Sequence, residues 1–351
     1  MDDLKYMKRA FELALKSHET LRNPKVGAVF VKNGKIIAEG YHKKYGMEHA
    51  EINAINNRIE DLEGSTLYVN LEPCSHYGKQ PPCVDKIIEH KIKRVVISNR
   101  DPNPKVDGIK KLLEHNIKVT TGILKEEGEK INEAFFTNIK CKRPFIALKY
   151  AMSLDGKIAL SNYDSKWISS EKSREYVHKL RNDYDCVIIG KNTFKYDNPR
   201  LNVRLDNPID PIRVIVSNDL DFDFSKRIFN LKSDKKTYIA TSAKKKDHNY
   251  IINVKEKEGN VDIVDLVNKL YEMNVSKILV EGGSKINYSF LKKNLVDKIY
   301  AFIAPKIFVE GIAPFSGESI KEMKYIKKFN TVDVKKFDED IMIEANRCLQ
   351  E

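Results

Sequence analysis

His49-Ala50-Glu51, then Pro73-Cys74, then Pro82-Cys83, is the stretch whose reading decides what this chain folds into. One histidine and two cysteines supply three metal ligands, one short of a closed tetrahedral zinc (Zn2+) site. The open fourth position suits a water, and zinc lowers the pKa of such a water to about 7. Glu51 lies two residues beyond His49. On a regular helix, positions i and i+2 point to nearly opposite sides, so the two share a site only over the end of a helix. The run Ala50 to Ile55 reads as that first turn, and Cys83 precedes a second amphipathic stretch, Val84 to Ile88. Thiolates are favoured at helix N-termini by the positive end of the macrodipole.

Three ligands plus a nearby glutamate is the arrangement of zinc deaminases, in which the carboxylate moves protons to departing ammonia. A closed structural zinc is the competing reading, with His76 as fourth ligand and the chain a non-catalytic binding module. Cys141, Cys186 and Cys348 read as packing residues.

At 351 residues the chain exceeds one ordinary domain. Its 41% hydrophobic content supports ordinary cores. No apolar run approaches the ~20 residues that span a bilayer, and Met1-Asp2-Asp3 opens no secretory signal. Five cysteines, two of them given to metal, build no disulfide framework, so a reducing cytoplasm is expected. The net charge of +12 is spread over scattered lysines such as Lys244-Lys245-Lys246. Aromatics are not interleaved with these clusters, which ranks nucleic acid below an anionic small molecule as partner.

The first half alternates helix and strand signals. Asn33-Gly34 between Val26–Val31 and Ile36–Ala38 is a hairpin signal. Helices are expected over Lys5–Ser17, after His49, after Cys83 and from Gly122 to Phe136. Strands are expected at Thr66–Leu71, at Val95–Ser98 and near Val119. The pattern lapses around Asn138–Arg143, and Pro144 starts a fresh strand, which places domains at 1–143 and 144–351. Strands follow at 145–150, 186–190, 212–216, 237–240, 278–281 and 299–304, with helices over 170–181, 261–273 and 284–291. Such alternation describes α/β sheets covered by helices. No G-x-G-x-x-G follows a strand. Gly282-Gly283 stands between a strand and a helix, where backbone N–H groups can approach a phosphate, although paired glycines also make ordinary turns.

Taken together, these segments resemble the riboflavin-biosynthesis bifunctional deaminase-reductases over nearly the whole chain. The resemblance runs through Asn23–Val29, Gly40-Tyr41-His42, His49-Ala50-Glu51, Leu71–Cys83 and Asp101–Pro104. It continues through Lys149–Lys157, Lys166–Ser170, Gly190–Thr193, Asp197–Arg204, Glu281–Gly283 and Ala304-Pro305-Lys306. Eight residues separate the two cysteines, where nucleic-acid deaminases typically have two. That spacing disfavours a tRNA-type deaminase.

The resemblance implies a cytidine-deaminase-like three-layer α/β/α domain followed by a dihydrofolate-reductase-like α/β domain. It implies zinc-dependent deamination of 2,5-diamino-6-ribosylamino-4(3H)-pyrimidinone 5′-phosphate, then reduction of the ribosyl group to ribityl by NADPH. His49, Cys74 and Cys83 would bind zinc and Glu51 would transfer protons. Asn23, His42, His76 and Lys79 would line the pyrimidine and phosphate pocket. Ser165, Arg181, Leu201, Arg204 and Glu281 would hold the reductase substrate, the two arginines as phosphate partners. Met152, Trp167, Ser169, Thr193, Asp197 and Asn218 would hold the cofactor. So would Gly283, Ser284, Lys285, Ile286, Asn287, Tyr288 and Ser289. Lys149 would orient or protonate the sugar, or else is an exposed strand lysine. Related reductase domains pair through sheet edges, so a homo-oligomer is expected. The chain departs from the family after Lys306, where Ile307–Gly311 replaces a glycine-rich stretch, and at Lys110, where a second glycine is usual.

Overall fold

The computed structural model describes residues 2–17, 22–77, 81–243 and 248–348. Contacts divide the chain into two units, Met1–Lys142 and Arg143–Glu351.

The first unit runs α1 (Asp3–Ala14), β1 (Gly27–Lys32), β2 (Lys35–Tyr41), α2 (Ala50–Asn56), β3 (Thr66–Leu71), α3 (Cys83–Glu89), β4 (Arg94–Asn99), α4 (Gly108–Glu114), β5 (Lys118–Thr121), α5 (Lys125–Ile131) and α6 (Glu133–Cys141). Its sheet has the order β2-β1-β3-β4-β5, antiparallel where β1 meets β2 and β3, and parallel from β3 to β5. The β1–β2 turn places Asn33 and Gly34 both at positive φ, as a primed hairpin turn requires. Helix α1 is capped by Asp2, whose side chain accepts from the Lys5 N–H. It packs Met7, Ala10 and Phe11 with Val29, Val31 and Tyr68 on one face of the sheet. The other face carries Ala50, Ala54, Val84, Ile87 and Leu112 against Ala28, Phe30, Val69 and Ile97.

Two expectations are corrected here. The helix expected over 122–136 is two helices, beginning at Lys125 and parting at Asn132. Asn132 leaves helical geometry (φ −113°, ψ 22°), and its side chain accepts from Lys25 N–H at 2.8 Å and donates to Lys25 C=O at 3.0 Å. It thereby anchors the segment leading into β1. The polar lapse at 138–141 is the end of α6 rather than linker. Arg143, at the expected boundary, pairs bidentately with Asp297 at 2.6 Å within the second unit.

The second unit runs β6 (Phe145–Ser153), α7 (Glu171–Asn182), β7 (Cys186–Gly190), α8 (Lys191–Asp197), β8 (Ile212–Val216), β9 (Thr237–Thr241), β10 (Ile251–Asn253), β11 (Glu256–Lys257), β12 (Asn260–Val261), α9 (Ile263–Glu272), β13 (Lys277–Val280), α10 (Ser284–Lys292), β14 (Lys298–Ala304), β15 (Phe329–Phe337) and β16 (Asp340–Arg347). The nine-stranded sheet has the order β10-β9-β8-β7-β13-β6-β14-β16-β15. It is parallel up to β14, and the β15–β16 hairpin closes one edge antiparallel. Strands β6, β7 and β13 bury Ile146, Leu148, Ile188, Ile278 and Val280, with Leu266, Leu270 and Phe290 packed in the same core. Such near-continuous apolar runs are what a sheet covered on both faces demands. Among the described residues no helix is long and apolar enough to cross a membrane.

Candidate functional site

In the first unit, His49 is the N-cap of α2 (φ −68°, ψ 158°), so its ring projects over the helix end while Glu51 sits in the first turn. Cys83 opens α3 behind the N-cap Pro82. His49 Nδ1 lies 3.4 Å from Cys74 Sγ and 3.3 Å from Cys83 Sγ, and the three donor atoms fall within 4.8 Å of one another. One imidazole nitrogen and two sulfurs converging at that distance suit a tetrahedral zinc with one position left over. His76 is exposed and is not among the converging donors, and Lys79 lies outside the described residues. Hydrogen bonds from Cys83 and His49 hold the Cys74 thiol well below its ordinary value, while Cys83 is pushed up by its neighbour Cys74 and by burial. Glu51 is 4% exposed, and burial followed by the charge on Cys74 raises its pKa.

Asn23 and His42 meet beside the ligands. His42 Nδ1 faces the Glu48 carbonyl at 2.9 Å, and a carbonyl can only accept, so Nδ1 carries a proton. Burial lowers the pKa of His42, and its Nε2 lies 3.1 Å from Asn23 Nδ2. The rings of His42 and His49 stand edge to face, 6.0 Å apart.

The sequence reading missed what braces the Cys74 loop. Glu72 accepts from the backbone N–H of Asp101 and Ile109, and Ser75 Oγ accepts from Asp107 N–H at 2.8 Å. A Cβ at Gly108 would stand 2.1 Å from the Pro73 carbonyl oxygen, so only glycine lets α4 approach there.

In the second unit a cavity of about 990 Å³ opens beyond the C-terminal ends of β6, β7, β8 and β13, where open α/β sheets place ligands. Val280 pairs with Leu148, so the next residues, Glu281 and Lys149, come side by side. Lys149 Nζ lies 3.7 Å from Glu281 Oε2. Arg181 grips the same carboxylate with Nε at 2.5 Å and Nη2 at 2.8 Å. Burial alone would raise Glu281, but Arg181 and Lys149 outweigh it and hold the carboxyl at about 2. Lys149 is largely buried, which lowers its pKa, so it is not the exposed strand lysine of the alternative reading.

Of the other expected residues, Ser165, Trp167, Ser169, Thr193, Asp197, Leu201, Arg204, Asn218, Gly283, Ser284, Lys285, Ile286 and Ser289 line this cavity. Met152, Asn287 and Tyr288 do not. Asn287 is fully buried and donates to the Pro314 carbonyl, and Tyr288 lies against Gly317. Ser165 donates to Asp197 at 3.0 Å, and Asn218 is tied to the β11–β12 hairpin through Asn260 and Val261. Arg181 lines the same cavity and pairs there with Glu281.

Two features fit a phosphorylated cofactor at the start of α10. The buried Ser284 Oγ has no hydrogen-bond partner among the described residues. A Cβ at Gly283 would press on Thr193 Oγ1 at 3.2 Å, so glycine keeps the approach to the helix N-terminus open. The segment 307–311 is held by Phe308 and Val309 N–H groups donating to Asp155. Gly311 (φ 154°) passes where a Cβ would meet the Ala159 carbonyl oxygen at 2.3 Å. The one glycine left in that stretch is the one the close approach requires. Lys110 is an exposed residue of α4 facing Glu114. His178 went unremarked in the sequence, yet it lines the cavity between Arg181 and Arg204.

Residues 1–99 match the cytidine and deoxycytidylate deaminase zinc-binding region, and residues 144–343 match the RibD C-terminal domain. The riboflavin biosynthesis protein RibD of Actinobacillus pleuropneumoniae is 39% identical, over 98% of this chain and 95% of its own length. That of Aquifex aeolicus is 42% identical over 83% of each. A crystal structure of a diaminohydroxyphosphoribosylaminopyrimidine deaminase/5-amino-6-(5-phosphoribosylamino)uracil reductase from Thermotoga maritima superposes with a TM-score of 0.88. It is 40% identical and covers 99% of both chains. Acinetobacter baumannii RibD gives 0.85 at 29% identity, again over 99% of both. Both halves of the chain, in one order and over nearly full length, are thus accounted for together: this protein belongs to the RibD family of riboflavin biosynthesis proteins.

Proposed function

We propose that the first unit deaminates 2,5-diamino-6-ribosylamino-4(3H)-pyrimidinone 5′-phosphate and that the second reduces the product's ribosyl group to ribityl with NADPH. The observation that carries this reading is the three-donor cluster His49, Cys74 and Cys83 with Glu51 buried beside it, in a chain whose relatives match both halves. The intact two-part match disfavours a nucleic-acid deaminase, and the exposure of His76 disfavours a closed structural zinc.

Zinc, when bound, supplies an acidified water for attack on the ring amidine carbon. Glu51, buried beside the three donors, would take a proton from that water and deliver one to the departing amino group. Asn23 and His42 hold the pyrimidine, and His76 and Lys79 are assigned to its phosphate.

NADPH, when bound, supplies the hydride for C1′ of the sugar. Gly283 and Ser284 at the α10 N-terminus would hold its phosphates. Lys149 Nζ orients the sugar and gives a proton to its ring oxygen as the ring opens. Glu281, fixed by Arg181, accepts from sugar hydroxyls, and Arg204 takes the substrate phosphate. A cytoplasmic homo-oligomer belongs to the same reading, supported by five free cysteines and by Val332 and Val334 exposed on the edge strand β15.

The test is a coupled assay on the diaminopyrimidine phosphate, with and without chelator, following ammonia and NADPH separately. Chelator should stop ammonia release and spare NADPH oxidation on substrate already deaminated. Ammonia release that survives complete zinc removal contradicts the proposal.

A further inference from the structure

Helix α7 turns one face to the reductase cavity. Arg174, His178 and Arg181 follow at i, i+4 and i+7, which stacks them along that face, and all three line the cavity. Arg174 donates to the Ser169 carbonyl at 2.6 Å with its guanidinium over Trp167, and Arg181 is committed to Glu281. His178, buried between them, reaches across to the loop after α8. Its Nε2 lies 3.0 Å from Arg204 Nε and 2.8 Å from Arg204 Nη2.

Both contacts come from N–H donors, so Nε2 is the bare nitrogen and the ring is neutral, with its proton on Nδ1. The neutral form is also the one this environment favours: burial, then Arg181 and Arg204, depresses His178 to about 4, against the pull of Glu281.

Arg204 needs such a partner. Arg181, Arg200, Arg227 and Arg174 surround it with like charge, on top of its own burial. Among the described residues no carboxylate pairs with it. A carboxylate would fix its position but cancel its charge. A neutral imidazole fixes one edge of the guanidinium and leaves the charge whole, on a side chain that lines the cavity.

We propose that His178 is the positioning residue that holds Arg204 in place as the recognition element for the phosphate of the reductase substrate. This rests on the reading that Arg204 meets that phosphate, and the experiment separates the two. Full-length R204A, H178F, H178Q and the H178F/R204A double variant are assayed for NADPH oxidation on the deaminated ribosylaminopyrimidine phosphate. NADPH binding is measured in parallel.

If His178 works as proposed, H178F raises KM for the phosphorylated substrate by roughly tenfold or more, the scale of a charged hydrogen bond. Its kcat and NADPH affinity stay near wild type. H178Q, whose amide oxygen can accept from Arg204, recovers most of the loss, and the double variant is no worse than R204A. An unchanged KM in R204A overturns the phosphate reading itself. A raised KM in R204A with wild-type KM in H178F and H178Q overturns the role of His178 alone. So does a loss in H178F that adds in full to that of R204A, or that falls equally on NADPH binding.

Discussion

The backbone N–H of Cys83 donates to the Sγ of Cys74 over 3.2 Å, so one metal ligand's own peptide steadies the other ligand's sulfur. Cys83 can do this because it opens α3, where N–H groups are not yet committed to the helix. The donor set is therefore assembled by two helix starts, α2 at His49 and α3 at Cys83, each laid on the same five-stranded sheet.

The seating of α2 depends on Gly40. A Cβ there would lie 2.2 Å from Ala54 N and 2.7 Å from the Ala50 carbonyl oxygen. Gly40→Ala should push α2 off β2, at an overpacking cost of about 1–3 kcal/mol. His49 would move with it, so zinc content and deamination should fall together while NADPH binding stays unchanged. Full zinc occupancy in the variant, by metal analysis, would show that the helix does not set the ligand.

Glu281 answers two buried cations. With its side chain 7% exposed, Glu281→Ala leaves Arg181 and Lys149 uncompensated. Removing one member of a buried charge cluster costs about 3–5 kcal/mol, and urea unfolding of the reductase unit should show a loss of that size. A loss below about 1 kcal/mol would mean that solvent already screens the cluster.

Lys149 should matter to rate more than to binding. Lys149→Met should lower kcat for NADPH oxidation by about a hundredfold, the low end of general acid catalysis, with KM and NADPH affinity little changed. Single-turnover kinetics would read this directly, and a kcat within a few-fold of wild type would assign the proton to another group.

His178 gives a pH signature. Its ordinary value is 6.5 and its folded value about 4. Between those limits the unfolded chain takes up a proton that the folded domain refuses, so stability drops as pH falls from about 6.5 toward 4 and levels off below. Histidine NMR should find the His178 ring untitrated from pH 7.5 to 5. A midpoint near 6.5 would mean that neither burial nor the neighbouring arginines act on it.

The zinc cluster was legible because its chemistry is local: a ligand's residue type, its place at a helix start and the partner two residues on are all written in sequence. The apolar runs at 186–190 and 212–216 likewise fixed two core strands residue for residue. What escaped depends on distant partners. Asn132 breaks a helix because Lys25, far off in sequence, takes both ends of its amide. Strand β15 lies at the sheet edge and carries Asp333, Lys335 and Lys336, which blurs its periodicity, and β16 is specified by pairing with β14. The pairing of Arg181 with Glu281 was likewise hidden, because it depends on a residue a hundred positions away.

Deamination depends most directly on Glu51. The measurement is ammonia release by purified Glu51→Gln protein with its zinc quantified in the same sample. The expected result is one zinc per chain, deamination reduced by at least about a thousandfold, and NADPH oxidation on deaminated substrate intact. Wild-type ammonia release with zinc retained would contradict the assignment of the buried carboxylate as the proton carrier.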